Sequence, residues 1–179
     1  MTGDNKTQAN PNGGDANNDA VNAAANFRLN AKTRTAAYTN AANQTAAAVK
    51  IPSSITVGGI TYTVTSIASG AFQNNTVLKK VELPASLTSI GAKAFYGCKK
   101  LTKITIPAKV KSIGKAAFQN CKKLKSITIK TQKLKAKTVG AKAFQKIYAK
   151  AVFKLPKKQK ALYKKILLKK GATRKMKFK

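Results

Sequence analysis

Cys98 and Cys121 are the only thiols of the chain, and they stand 23 residues apart. A thiol pair can form a disulfide, ligate a soft metal or supply a nucleophile. The nucleophile needs a base beside it, and the chain has no His and, from Phe27 onward, a single acid, Glu82. Two thiolates without His or paired carboxylates also fall short of the four ligands that zinc takes. Lys could attack a carbonyl only if desolvated beside a partner, and nothing in the pattern singles one out. We therefore assign no catalytic, metal-binding or cofactor-binding residue and expect no cofactor. The chemistry that remains is that of a charged surface: 35 of the 36 Lys and Arg lie from Phe27 onward, in a chain of formal net charge +32. Such a density of cations exceeds what solubility asks for and attracts polyanions.

The two thiols owe their spacing to a repeat. TVLKKVELPASLTSIGAKAFYGC, KKLTKITIPAKVKSIGKAAFQNC and KKLKSITIKTQKLKAKTVGAKAF follow one another with a period of 23 residues. A period of this size marks units that cannot bury their own apolar face and are completed by stacking on neighbours. Leu78, Val81 and Leu83 recur as Leu101, Ile104 and Ile106, then as Leu124, Ile127 and Ile129. Their alternation predicts one short strand per repeat, ending before Pro84 and Pro107. Further columns are Leu87/Val110, Ile90/Ile113/Val139, Gly91/Gly114/Gly140 and the Ala-Phe pairs closing on Phe95, Phe118 and Phe144; Ile67, Gly70, Ala71 and Phe72 belong to an earlier partial copy. The Phe residues should stack into one wall. Each Gly serves a positive φ or a close backbone approach, and the Ala-Phe arm reads as a single helical or 3-10 turn. Equivalent side chains on adjacent repeats lie about 5 Å apart, which leaves a Cys98–Cys121 disulfide geometrically open. The preferred reading is a reduced, buried pair acting as small hydrophobes.

Residues 1–26, rich in Asn, Ala and Gly, hold almost nothing large and apolar and are expected to be a disordered leader or linker. Residues 27–179 are expected to form one domain: 27–65 an N-terminal β cap and first coil, 66–147 the repeats, 148–179 a C-terminal cap. FRLNAKTRTAAYT and VGGITYTVT supply the first cap, with a hairpin turn at Gly58-Gly59. AVFKLP reads as a strand, KKQKALYKKILLKK as an amphipathic helix stopped by Gly171, and RKMKFK as a last strand. Leu162, Tyr163, Ile166 and Leu167 fall at helical spacing and should seal the last Phe layer. A Lys-rich amphipathic helix can also lie on an anionic membrane or meet a calmodulin-like partner. Closing the stack is the preferred role.

The outward strand positions Lys80, Glu82, Lys103, Thr105, Ser126, Thr128 and Lys130 form the candidate binding face. Glu82, beside Lys80, is read as its charge partner. A second candidate feature is a lysine ladder, Lys79 and Lys80 with Lys99, Lys100, Lys122 and Lys123, suited to a polyanion and costly in repulsion when stacked.

The pattern L-x-x-I-T-I-P-x-x-V-x-x-I-G-x-x-A-F-x-x-C-K-K-L resembles the BspA-like leucine-rich repeat over roughly residues 49–147. Lys109 stands where conventional leucine-rich repeats carry Asn, a departure that fits this subclass. The resemblance implies a mainly β chain with short helical turns, a right-handed solenoid of about four 23-residue coils with an N-terminal β cap and a C-terminal strand-helix-strand cap. It further implies a non-catalytic module of a cell-surface or secreted protein that engages a protein or glycan. The competing reading is an electrostatic binder of cell-wall polymer, glycosaminoglycan, nucleic acid or anionic lipid. Sequence-specific nucleic-acid recognition is not expected, because no recognition motif or base-stacking aromatic signature is present. No run is long enough for a membrane helix. Met1 precedes a polar stretch without a secretion-signal pattern, whose plain reading is a cytosolic protein; a trimmed piece of a larger secreted chain would read the same and is the preferred case, and an extracellular or surface location rests on the resemblance.

Overall fold

The computed structural model describes residues 25–40 and 45–179. The leader expected over 1–26 lies outside them except for Ala25 and Asn26. Twelve strands and one helix follow in order: β1 Phe27–Asn30, β2 Thr35–Tyr38, β3 Ala48–Lys50, β4 Ser54–Val57, β5 Ile60–Ile67, β6 Lys80–Glu82, β7 Ser89–Ile90, β8 Lys103–Ile106, β9 Ser112–Ile113, β10 Ser126–Ile129, β11 Val152–Lys154, α1 Lys160–Lys169 and β12 Lys177–Phe178.

The strand expected in each repeat is there. It builds a parallel six-stranded sheet in the order β12-β11-β10-β8-β6-β3, in which Ile127 faces Ile104 and Phe153 in register. Alternation places Val81, Ile104, Ile127 and Phe153 inside and their neighbours outside. The sequence reading missed that each repeat feeds a second sheet. Ile67, Ile90 and Ile113, taken only as core columns, lie on β5, β7 and β9 of the path β1-β2-β5-β7-β9, and Val139 continues it as an isolated bridge to Ile113. Two-residue strands give no alternation to detect. The expected hairpin is present as β4 and β5, turning at Gly58 and Gly59, both at positive φ.

The Ala-Phe arm is not helical, which corrects the expectation. Its amide groups alternate: Ala94 and Tyr96 donate back three residues within the turn, whereas Lys93, Phe95 and Gly97 donate to Lys115, Ala117 and Gln119 of the next repeat. In a continued 3-10 helix the successive amides after the first turn would all donate back three residues, and none of them would reach the next repeat. The alternation is made by left-handed residues two places before and two places after each Phe: Gly70 and Asn74, Lys93 and Gly97, Ala116 and Asn120, Lys142 and Lys146. The Gly91, Gly114 and Gly140 column instead serves close approach. A Cβ there would lie 2.5 Å, 2.3 Å and 2.3 Å from the backbone nitrogens of Ser69, Ala92 and Lys115.

The core runs between these three walls. Phe27, Tyr38, Phe72, Phe95, Phe118, Phe144, Phe153 and Phe178 form one continuous column, neighbouring ring centres 5.0–5.6 Å apart. All seven Phe of the chain are in it. Helix α1 covers the far end with Tyr163, Ile166 and Leu167 buried, but Leu162 does not join them: it is 49% exposed on the outer side. Leu162 precedes the buried Tyr163 by one residue and so points about 100° away from it around the helix. The Tyr163 hydroxyl fastens the helix to the last repeat, donating to the Thr131 carbonyl (3.1 Å) and accepting from the Leu134 amide (3.0 Å).

Candidate functional site

The outward positions of the long parallel sheet lie side by side on consecutive strands. Register places Ala48 against Lys80, Lys80 against Lys103, Lys103 against Ser126, Ser126 against Val152 and Val152 against Lys177. In the neighbouring column Lys50 faces Glu82, and Thr105 faces Thr128, which faces Lys154. Lys80, Glu82, Lys103 and Lys130 are exposed, and Thr105, Ser126 and Thr128 are half-buried with one side toward solvent. Period-2 alternation with an apolar inner face is what drives these side chains outward.

Lys80 Nζ lies 2.6 Å from a Glu82 carboxylate oxygen, the one ion pair among the described residues. The Lys80 hydrogen bond, and then its charge, hold the Glu82 carboxyl below its usual range. Between β6 and β8 this pair borders a depression of about 370 Å³ lined also by Lys103, Thr105 and Leu83. The face therefore offers hydroxyl donors and acceptors at its centre, one carboxylate, and ammonium groups around them.

Sequence reasoning missed Lys50, Lys154 and Lys177 on this face. Lys50 pairs with Glu82, Lys154 with Thr128 and Lys177 with Val152, and none of these pairings follows the repeat period. The available signal was local: each Lys adjoins the apolar residue of a short strand, in Val49-Lys50, Phe153-Lys154 and Lys177-Phe178.

The lysine ladder divides. Lys99 and Lys100 are exposed in the turn after Cys98, and Lys122 and Lys123 occupy the same turn one repeat on. Lys79 does not align with them. It precedes β6, and its carbonyl accepts from the Thr102 amide, whose carbonyl accepts from Lys125, so its column is Lys79, Thr102, Lys125. The similarity of the Lys-Lys dipeptides concealed the offset between the two columns.

Cys98 and Cys121 are fully buried and free. Cys98 Sγ donates to the Phe72 carbonyl (3.0 Å) and Cys121 Sγ to that of Phe95 (2.9 Å). Contact with the Cys98 thiol, followed by burial, pushes the Cys121 thiol well above its usual range, which keeps it protonated and unreactive. Among the described residues there is no cluster of three or more His, Cys, Asp or Glu, and no helix is long and apolar enough to cross a membrane.

Known proteins repeat this architecture. The sequence matches the family of BspA type leucine rich repeat regions, in six copies, over residues 42–170. Six copies exceed the roughly four coils counted by period. Among solved structures, a leucine-rich repeat protein from Bacteroides capillosus is 29% identical with a TM-score of 0.54, the match covering 68% of this chain and 91% of that one. A leucine rich cell surface protein from Faecalibacterium prausnitzii is 30% identical with a TM-score of 0.57; the match covers 73% of this chain but only 35% of that protein. A leucine rich repeat protein from T. pallidum, 23% identical with a TM-score of 0.54 over 73% of this chain and 68% of that one, shares the fold. No curated protein matches the chain.

Proposed function

Since this chain belongs to the BspA-type leucine-rich repeat family, we infer that it is a non-catalytic binding module, a capped right-handed solenoid that engages a protein or glycan partner through its long parallel sheet. The observation that carries this reading is the in-register outward face. Lys103 and Ser126, and Thr105 and Thr128, stand side by side on consecutive strands, a regular lattice of donors and acceptors on a rigid support. A preformed surface of this kind loses little entropy on binding. The similarity to a cell surface protein supports placement outside the cell or on its surface. Residues 27–179 act as one unit in this reading, with 1–26 as a tether and the helix and β12 closing the stack.

The test is binding to panels of immobilised extracellular-matrix proteins and glycans, followed by salt titration. We expect a partner whose affinity falls only modestly with salt and is lost when Thr105 and Thr128 are both replaced by Tyr, with the fold retained by circular dichroism. Retention by the double variant would move the site off the sheet. A log-linear loss with salt, together with equal retention on heparin and DNA, would replace this reading with electrostatic polyanion binding.

A further inference from the structure

Three hollows surround helix α1 and the segment leading into β12, and all three share one make-up. One of about 640 Å³ is lined by Ile147, Ala149 and Met176 with Lys146, Arg174 and Lys175. Another, about 310 Å³, has Leu168, Met176 and Phe178 with Lys164 and Arg174. The third, about 240 Å³, is lined by Leu162, Ile166 and Ala136 with Lys165, Lys169 and Lys170. Each has apolar groups on its walls and only cations among its charged groups. Leu162, like Ile60 on β5, is a large apolar side chain left exposed, one helical turn before the buried Ile166 with which it lines the third hollow.

The local charge has no structural rationale. Residues 157–179 hold eleven Lys and Arg and no acid. Lys157, Lys158 and Lys160 crowd the start of α1, whose first turn contains no acid. That end of a helix carries the positive pole of its dipole, so cations there oppose helix formation. An anionic partner would relieve both that opposition and the mutual repulsion of the lysines.

We propose that this end of the molecule is a docking face for an anionic lipid bilayer, distinct from the sheet face and independent of its ligand. Leu162 enters between headgroups, the ammonium and guanidinium groups meet lipid phosphates, and the aliphatic Lys stems lie along the apolar walls while their heads reach outward. A nucleic acid would use the cations but not the apolar walls, and the exposed apolar group here is aliphatic, whereas single strands are held by aromatic stacking. The roles read from the sequence of α1 are thereby divided: Tyr163, Ile166 and Leu167 are buried and close the stack, and Leu162, at the exposed margin beside Ile166, faces the lipid.

Flotation of the full chain with vesicles tests this. Binding to phosphatidylglycerol vesicles and not to phosphatidylcholine vesicles is expected. Replacing Lys164, Lys165 and Lys169 with Gln should weaken it on the order of a hundredfold, and Leu162→Ser about fivefold. All four positions are exposed, and unchanged circular dichroism will separate lost binding from lost fold. Equal binding to neutral vesicles, or full binding by the triple variant, overturns the proposal. So does full binding by Leu162→Ser with poly-glutamate or duplex DNA competing as well as lipid, which would reduce the face to a polyanion attractor. The Thr105/Thr128 double variant should float unchanged, so failure at the sheet face and failure here are read separately.

Discussion

At the scale of single residues, backbone geometry decides more than side-chain chemistry. A Gly114→Ala methyl would sit 2.3 Å from the Ala92 nitrogen and 2.6 Å from its Cα, and backbone on backbone has no rotamer through which to yield. We expect a loss of about 3 kcal/mol or more in urea unfolding, shared by Gly140→Ala. Gly59→Ala should lose only about 1 kcal/mol, the cost of its positive φ, because a Cβ there would touch nothing within 4 Å. Left-handed positions without glycine give the opposite sign. Lys142 is exposed at φ 59°, where the first repeat has Gly70, so Lys142→Gly should be neutral or stabilising, by up to about 1 kcal/mol. The sequence marked the glycine column but left its purpose open between turn and close approach, because both demand the same residue. It hid half of the left-handed sites beside the Phe column, since Lys or Ala occupies Lys93, Ala116, Lys142 and Lys146, whereas Gly70, Asn74, Gly97 and Asn120 carry the usual residues for that geometry. Tyr38 adds a pH dependence. Burial raises its hydroxyl from 10.0 to about 12. A folded pKa above the unfolded one means stability that is complete below pH 10 and lost as pH rises through about 12. Wild type should thus lose stability relative to Tyr38→Phe across that window, even though the variant forfeits the 3.0 Å hydrogen bond to Asn40 Oδ1. A pH-independent difference between the two would show that Tyr38 does not titrate with unfolding.

Among elements, the aromatic column and the turn ladder are the shared support of all repeats. Phe95, Phe118 and Phe144 are fully buried, and the Phe118 ring lies nearly parallel to the other two, at interplanar angles of 3° and 11°. Removing the central ring leaves a gap that the adjacent backbone, pinned by inter-repeat bonds from Phe118 to Ala143 and from Phe95 to Ala117, cannot collapse into. Phe118→Ala should therefore cost about 3–5 kcal/mol, near the whole stability of a small domain. Chemical denaturation that shows less than half of this would mean the repeats slide to close the gap. The even spacing of Phe72, Phe95 and Phe118 made the centre of the column readable. Its ends were not, because Tyr38 is not a Phe, and Phe153 and Phe178 belong to paired strands that fall off the repeat period. The candidate face was legible in the same measure. Its middle, from Lys80 to Lys130, followed from alternation, whereas Lys50, Lys154 and Lys177 joined it only through strand pairing that no local pattern encodes.

For the whole molecule the governing quantity is charge, +32 formally, with one ion pair among the described residues to offset it. Exposed ammonium groups on adjacent repeats, as at Lys80 and Lys103, which face each other in register, lie within a Debye length and repel. The same repulsion opposes association of separate copies through the edges of β3 and β12. Folding concentrates these charges while unfolding disperses them, so self-repulsion lowers stability most at low salt. Raising sodium chloride from 20 mM to 300 mM should lift the melting temperature by several degrees, on the order of 3 °C for each kcal/mol of repulsion relieved. Chloride is the useful anion, since sulfate would also strengthen apolar burial. To localise the effect, Lys99, Lys100, Lys122 and Lys123 can be replaced by Gln together. These side chains are exposed in turns one repeat apart, so the substitution removes charge without touching the core. The variant should melt higher than wild type at 20 mM and lose that advantage at 300 mM. A melting temperature indifferent to salt would mean that the lysines are spaced widely enough to be solvated one by one. In that event the excess charge would exert no strain on the fold, and an anionic surface would have nothing to relieve beyond its own attraction to the chain.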